Sequence, residues 1–164
     1  MIITFIKIQE ISTPNLSYYT VQLQSEALSE FELFDANDFS SHQNEISQIY
    51  AVIEEMGLTE AKPYYFVEEG GFEYLPRMSV ESINSNGRND FGIRLYCKFL
   101  NPNIVLLFNG GIKTQLNPTN CPNVSVHFKR AKAISNYINK WISLDVLKIN
   151  YTELEIDQDF DFEI

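Results

Sequence analysis

The chain has 164 residues, 45% of them hydrophobic and 13% aromatic, with a formal net charge of -10. This length and composition suit one folded domain and exclude a disordered or low-complexity chain. No apolar stretch reaches the roughly 18 residues of a membrane span, and the N-terminus lacks the basic start, apolar run and cleavage site of a secretory signal.

Charge is sorted by position. Residues 1–76 set Lys7 and Lys62 against thirteen carboxylates, net -11. Residues 77–150 carry ten Lys and Arg against Glu81, Asp90 and Asp145, net +7. Residues 151–164 carry six carboxylates and no base, net -6. A basic block of this kind is the electrostatic footprint of a polyanion site or, equally, a solvated face.

Residues 2–8 are rich in β-branched residues and predict a strand, and residues 17–23 alternate and predict a second, joined to it as a hairpin. Residues 28–34 carry apolar groups at helical spacing, with Ser25 or Ser29 as cap. A clearer helix spans 41–56, where Ile46, Ile49, Tyr50 and Ile53 repeat at i, i+3, i+4, i+7 and Gly57 suits the stop. Residues 62–68 predict a strand, Glu68-Glu69-Gly70-Gly71 a turn, and 72–75 a short pairing segment. Residues 82–90 form a polar loop with an Asn-Gly step.

The strongest local pattern follows. Residues 92–100 alternate strictly, with Ile93, Leu95, Cys97 and Phe99 on one face and Arg94, Tyr96 and Lys98 on the other. After a turn at 101–103, the apolar run 104–108 predicts a buried strand, so the two form an antiparallel hairpin. Asn109-Gly110-Gly111 bends or bulges the chain. From Val124 a helix carries the stripe Val124, Phe128, Ala131, Ile134, Ile138, Trp141 and Ile142, with Asn123 as cap. Residues 146–156 read as one last strand. The chain divides into a single α+β domain, 1–156, and an acidic C-terminal tail, 157–164. That tail either lies over the basic block, anchored by Phe160 and Phe162, or frays into solvent.

Among chemical motifs, Gly110-Gly111-Ile112-Lys113-Thr114 ends like a phosphate loop but lacks its first glycine. The cysteines Cys97 and Cys121 have no metal-ligand spacing. Only two histidines exist, His42 and His127, so a histidine metal site or a serine triad has little support. The basic block remains. Arg94, Tyr96 and Lys98 share a strand face, Lys113 follows the next strand, and His127, Lys129, Arg130 and Lys132 lie on the helix after it. Converging on one groove, the cations would neutralise phosphates, Tyr96 would stack a base, and His127 would serve as acid or base. The alternative is that Arg94 and Lys98 solvate the outer sheet face and His127 is a surface helix residue.

The run Gly92-Ile93-Arg94-Leu95-Tyr96-Cys97-Lys98, the turn, and the run from Ile104 to Lys113-Thr114 together resemble the central hairpin of RelE/ParE-superfamily toxins, most of all the HigB-like branch. Phe128-Lys129-Arg130-Ala131-Lys132 is similar to that family's basic helix, and the resemblance covers about residues 91–142. It implies an α+β fold in which helices pack on an antiparallel sheet. It further implies a cytoplasmic, ribosome-dependent mRNA endoribonuclease, the toxin of a type II toxin–antitoxin pair, held inactive by a cognate antitoxin and using neither metal nor cofactor. Arg94 and Lys113 match motif positions, and Arg130 matches more weakly. With His127 they are the expected catalytic set (Arg94, Lys113, His127), while Tyr96, Lys98, Lys129, Arg130 and Lys132 are the expected RNA contacts. The competing expectation is a non-catalytic acidic protein on the same scaffold that binds a basic protein partner.

Overall fold

The computed structural model describes residues 1–77 and 90–164. The polar loop expected at 82–90 lies outside the described residues except for Asp90. In chain order the strands are β1 (Ile2–Lys7), β2 (Ser17–Leu23), β3 (Val67–Glu69), β4 (Phe72–Leu75), β5 (Ile93–Asn101), β6 (Ile104–Ile112), β7 (Leu147–Asn150), β8 (Glu153–Ile156) and β9 (Phe162–Glu163). The helices are α1 (Glu30–Asp35), α2 (Gln43–Leu58) and α3 (Ser125–Ser143). Seven strands form one sheet in the order β3-β4-β5-β6-β2-β1-β9, and β7 and β8 pair separately.

The sheet is mostly antiparallel, as expected for an α+β chain, with one exception: β2 runs parallel to β6, with Ser17 opposite Ile104 and Tyr19 opposite Leu106. That pairing joins the β1–β2 hairpin to the β5–β6 hairpin. It ends at Tyr19, where β2 leaves β6. Beyond this point Thr20 Oγ1 accepts a hydrogen bond from Phe31 N at 3.1 Å, which ties the start of α1 to β2. A capping box holds that start, with Ser29 N donating to Glu32 Oε2 at 2.8 Å and Glu32 N to Ser29 Oγ at 3.3 Å. The cap expected at Ser25 or Ser29 is therefore Ser29.

Both faces of the sheet are covered, because alternation in β2 and β5 sends large apolar groups to each side. On one face Tyr18, Leu95, Cys97, Val105 and Leu107 pack with Ile49, Ile53 and Met56 of α2 and Phe31 and Phe34 of α1. Tyr18 reaches through this layer and donates its hydroxyl to Ile53 O at 2.7 Å. On the other face Phe5, Val21, Tyr96, Leu106 and Phe108 pack against Phe128, Ala131, Ile134, Ile138 and Trp141 of α3. Ile142, expected in that stripe, is 37% exposed.

Three local expectations change. Pro63 opens a 3-10 turn, Pro63–Tyr65, so the expected strand at 62–68 is confined to Val67–Glu69. Asn123 is not the cap of α3: its side chain donates to Ile112 O at 3.1 Å, and Val124 takes the cap position without a side-chain bond. The last expected strand is instead a hairpin, because Tyr151 adopts φ +54° and turns β7 back on β8. The C-terminal segment is not frayed: it packs against the C-terminal half of α3, which belongs to the basic block, and lies at the sheet edge away from the β3–β4 hairpin. Phe162 pairs opposite Ile3 and is buried, with its ring edge-on to Phe5 at 5.3 Å and to Trp141 at 5.1 Å. β9 thus lies at the sheet edge opposite β3 and β4. Among the described residues no helix is long and apolar enough to cross a membrane.

Candidate functional site

The β5–β6 hairpin positions the site. Its register slips between Leu95 and Cys97, where Leu95 faces Gly110 but Cys97 faces Leu107. Tyr96 lies opposite this irregularity, which is the bulge expected at Asn109-Gly110-Gly111. A side chain at Gly110 would collide with the Arg94 carbonyl, so only glycine lets the two strands approach there.

Arg94, Tyr96 and Lys113 converge below the N-terminal half of α3, together with the β3–β4 hairpin. Lys113 Nζ lies 2.5 Å from Glu69 Oε1 and 5.8 Å from the centre of the Phe91 ring. The Arg94 guanidinium stacks 4.2 Å from the centre of the Tyr74 ring, and its Nη1 donates to Phe91 O at 2.7 Å and Ile93 O at 3.1 Å. The Tyr96 ring is edge-on to Phe72 and to Phe128, at 5.5 and 5.7 Å. Gly70, at φ +73°, brings the β3–β4 turn so close to α3 that an added Cβ would meet Phe128 Cζ at 2.8 Å.

These groups are covered: Lys113 is 4% exposed, Arg94 9% and Tyr96 0%. Burial pushes the Tyr96 hydroxyl well above the tyrosine range, reinforced by the Glu69 carboxylate, with Arg94 opposing. Burial likewise raises Tyr74, again opposed by Arg94. Beside them, burial pushes the Cys121 thiol up, but hydrogen bonds from Thr114, Asn123 and Gln115 together outweigh it and leave the thiol below its ordinary value. Three buried polar atoms of this cluster, Glu69 Oε2, Arg94 Nε and Tyr96 Oη, have no hydrogen-bond partner among the described residues. An unpaired buried polar atom typically costs about 1–3 kcal/mol, so the cluster pairs Lys113 with Glu69 but is under-satisfied in its hydrogen bonds.

The remaining expected residues divide between two places. Arg130 reaches from α3 to the buried Glu30 of α1, and the two form an ion pair. Burial raises Glu30 against the opposing pull of Arg130. His127 lies one turn before Arg130, and burial, then the Arg130 charge, lowers its pKa, so neutral imidazole is favoured. The structure thus places His127 beside Arg130 on α3. Lys98 of β5 sits 3.7 Å from Glu73 Oε1 and 3.4 Å from Gly71 O, both of the β3–β4 hairpin. Lys129 and Lys132 are exposed on the outer side of α3.

The reading of Arg94 as a solvated sheet residue is therefore replaced by a buried, stacked guanidinium. Glu69 and Tyr74, the groups that organise this cluster, were not legible as site residues. Glu69 read as part of a turn, and no local signal announces that β3 will bring it to Lys113. Comparison with protein-family models, with curated proteins and with solved structures finds no match in any of the three.

Proposed function

We propose that this chain is the toxin of a type II toxin–antitoxin pair, a RelE-like endoribonuclease that cleaves mRNA at the ribosome and is restrained by a cognate antitoxin. The observation that carries this reading is the convergence of Arg94, Tyr96 and Lys113 from separate strand positions into one cluster with unpaired polar atoms. Burying two cations is expensive, and strongly perturbed polar clusters concentrate at functional sites. In this reading Arg94 and Lys113 hold the phosphate while the neighbouring 2′-hydroxyl attacks it. The P–O5′ bond breaks, leaving a 2′,3′-cyclic phosphate and a 5′-hydroxyl that takes up a proton as the 2′-hydroxyl releases one, and the two cations offset the charge that grows on the phosphoryl oxygens. The Tyr96 ring is enclosed by Phe72 and Phe128, so its unpartnered hydroxyl is the group that orients the nucleotide. Lys129 and Lys132 contact the RNA backbone from the exposed side of α3. The β3–β4 hairpin covers the cluster and Glu69 occupies Lys113, so substrate must displace Glu69 from the lysine. Inducing the chain without a partner in a bacterial host is expected to arrest growth and to produce new 5′ ends within translated messages. Unimpaired growth with intact transcripts contradicts the reading.

A second reading has its own observation. Lys113, Arg130 and Lys98 all lie within ion-pair distance of carboxylates, whereas Glu10, Glu26, Glu54, Glu55, Glu60, Glu155, Asp157, Asp159 and Asp161 are exposed. The outer surface that a partner meets is then acidic, which favours a non-catalytic protein that binds a basic partner. Affinity capture with the purified chain separates the two: a basic protein recovered without RNA or ribosomes supports the second reading.

A further inference from the structure

His42 closes the 3-10 turn Ser40–His42 that leads into α2, and its imidazole is engaged on both sides. Nε2 lies 2.9 Å from Asp90 Oδ2, and Nδ1 lies 2.6 Å from Ser41 Oγ. The partners fix the tautomer. A carboxylate oxygen only accepts, so Nε2 carries the hydrogen and donates it to Asp90. In the neutral ring Nδ1 is then bare and accepts the Ser41 hydroxyl. Asp90 is itself held by Gly92 N, which donates to Oδ1 at 2.8 Å. The ring is shielded, at 4% exposure, while Ser41 is exposed to solvent.

Hydroxyl, base and orienting carboxylate therefore stand in one relay, and such a relay is recognised by geometry and roles rather than by chain order. The surroundings of the relay are acidic: the turn that leads into α2 is preceded by Asp38, whose Oδ1 accepts from Ser40 N at 3.0 Å and sets a carboxylate at the positive end of the helix. The flanking residues Ser40 and Gln43, but not Ser41 or His42, line a cavity of about 220 Å³ together with Phe34, Phe39, Ile46 and Tyr50. Asp35 and Asp38 also line it and disfavour anions.

We propose that Ser41 is a nucleophile for acyl transfer from small neutral or cationic esters, with His42 as its base and Asp90 as the residue that positions the ring. Ser41 Oγ bonds to the ester carbonyl carbon as its proton passes to His42 Nδ1. The ester C–O bond then breaks and the alcohol leaves with that proton. Water, deprotonated by His42, attacks the acyl carbon. The Oγ–C bond breaks, the proton returns to Ser41, and the carboxylic acid departs. None of these residues belongs to the Arg94–Lys113 cluster, so this activity stands or falls independently of the ribonuclease reading.

The test is labelling of the purified full chain with a fluorophosphonate probe, followed by peptide mapping, alongside hydrolysis of p-nitrophenyl acetate. The expected result is one adduct on Ser41, absent in Ser41→Ala and formed about 100-fold more slowly in His42→Gln. Asp90→Asn is expected to slow labelling, and Asp90→Glu to recover part of the rate, which a merely structural role would not produce. Absence of an adduct on Ser41, at a probe concentration that fully labels a known serine esterase, overturns the proposal. Equal labelling rates in the wild type, Asp90→Asn and Asp90→Glu overturn it as well, even if His42→Gln fails to fold.

Discussion

Lys113 and Glu69 stand 44 positions apart, yet each is what makes the other tolerable in the interior. Lys113 is 4% exposed, so deleting its partner strands an ammonium that water cannot reach. Breaking a buried pair from one side typically costs about 3–5 kcal/mol, whereas replacing both partners with apolar groups is often neutral. Glu69→Leu is therefore expected to lower stability by about 3 kcal/mol in urea unfolding, and adding Lys113→Met is expected to recover most of it. His127 gives a pH signature. Burial, then Arg130, holds its pKa below the ordinary 6.5, so below that pH the unfolded chain binds more protons than the folded one. Stability is lost as pH falls through 6.5 toward the folded value. His127→Gln removes this contribution, and its unfolding midpoint is expected to change less between pH 7 and pH 5 than that of the wild type. The chemistry of Arg94, Tyr96 and Lys113 was legible as a set, because alternation fixes which strand residues share a face. Their carboxylate partners were not, since Glu69, Glu30 and Asp90 arrive through strand order and helix placement, which no local spacing encodes.

At the level of elements, what sequence pattern captures is what one strand or one turn decides. The β5–β6 hairpin, the amphipathic α2 and α3, and the Ser29 cap follow from periodicity and hydrogen-bonding groups within a few residues of each other. The parallel β2–β6 contact and the β7–β8 hairpin escape it. The first depends on how two hairpins dock, and the second on a positive φ at Tyr151, a residue that carries no turn signal. Two elements are expected to be unforgiving. Gly110→Ala places a methyl group against the Arg94 carbonyl and forces the β5–β6 ladder apart at its bulge. Loss of cooperative thermal unfolding is the expected readout. Phe162→Ala removes the ring that fastens β9 between Phe5 and Trp141, and a loss of about 3–5 kcal/mol is expected from a buried Phe truncation. A frayed tail would give almost none.

For the whole molecule, the charge blocks of the sequence acquire positions. The basic block builds the β5–β6 hairpin and α3, but Lys113 turns inward to pair with Glu69 and Arg94 turns inward to stack on Tyr74, while Lys129 and Lys132 remain outside. The acidic C-terminal segment closes the far edge of the sheet and leaves the cluster to the β3–β4 hairpin. If the molecule is a ribosome-dependent ribonuclease, its catalytic cations are stored under that hairpin and exposed by substrate. The most direct measurement adds the purified chain to a cell-free translation mixture and maps the 5′ ends of the translated message. It is run beside Arg94→Gln, with circular dichroism confirming that the variant folds. Discrete cleavage by the wild type that needs translating ribosomes and falls at least about 100-fold in the folded variant is expected of a ribosome-dependent ribonuclease. Intact message with the wild type, or equal cleavage by the folded variant, contradicts that reading.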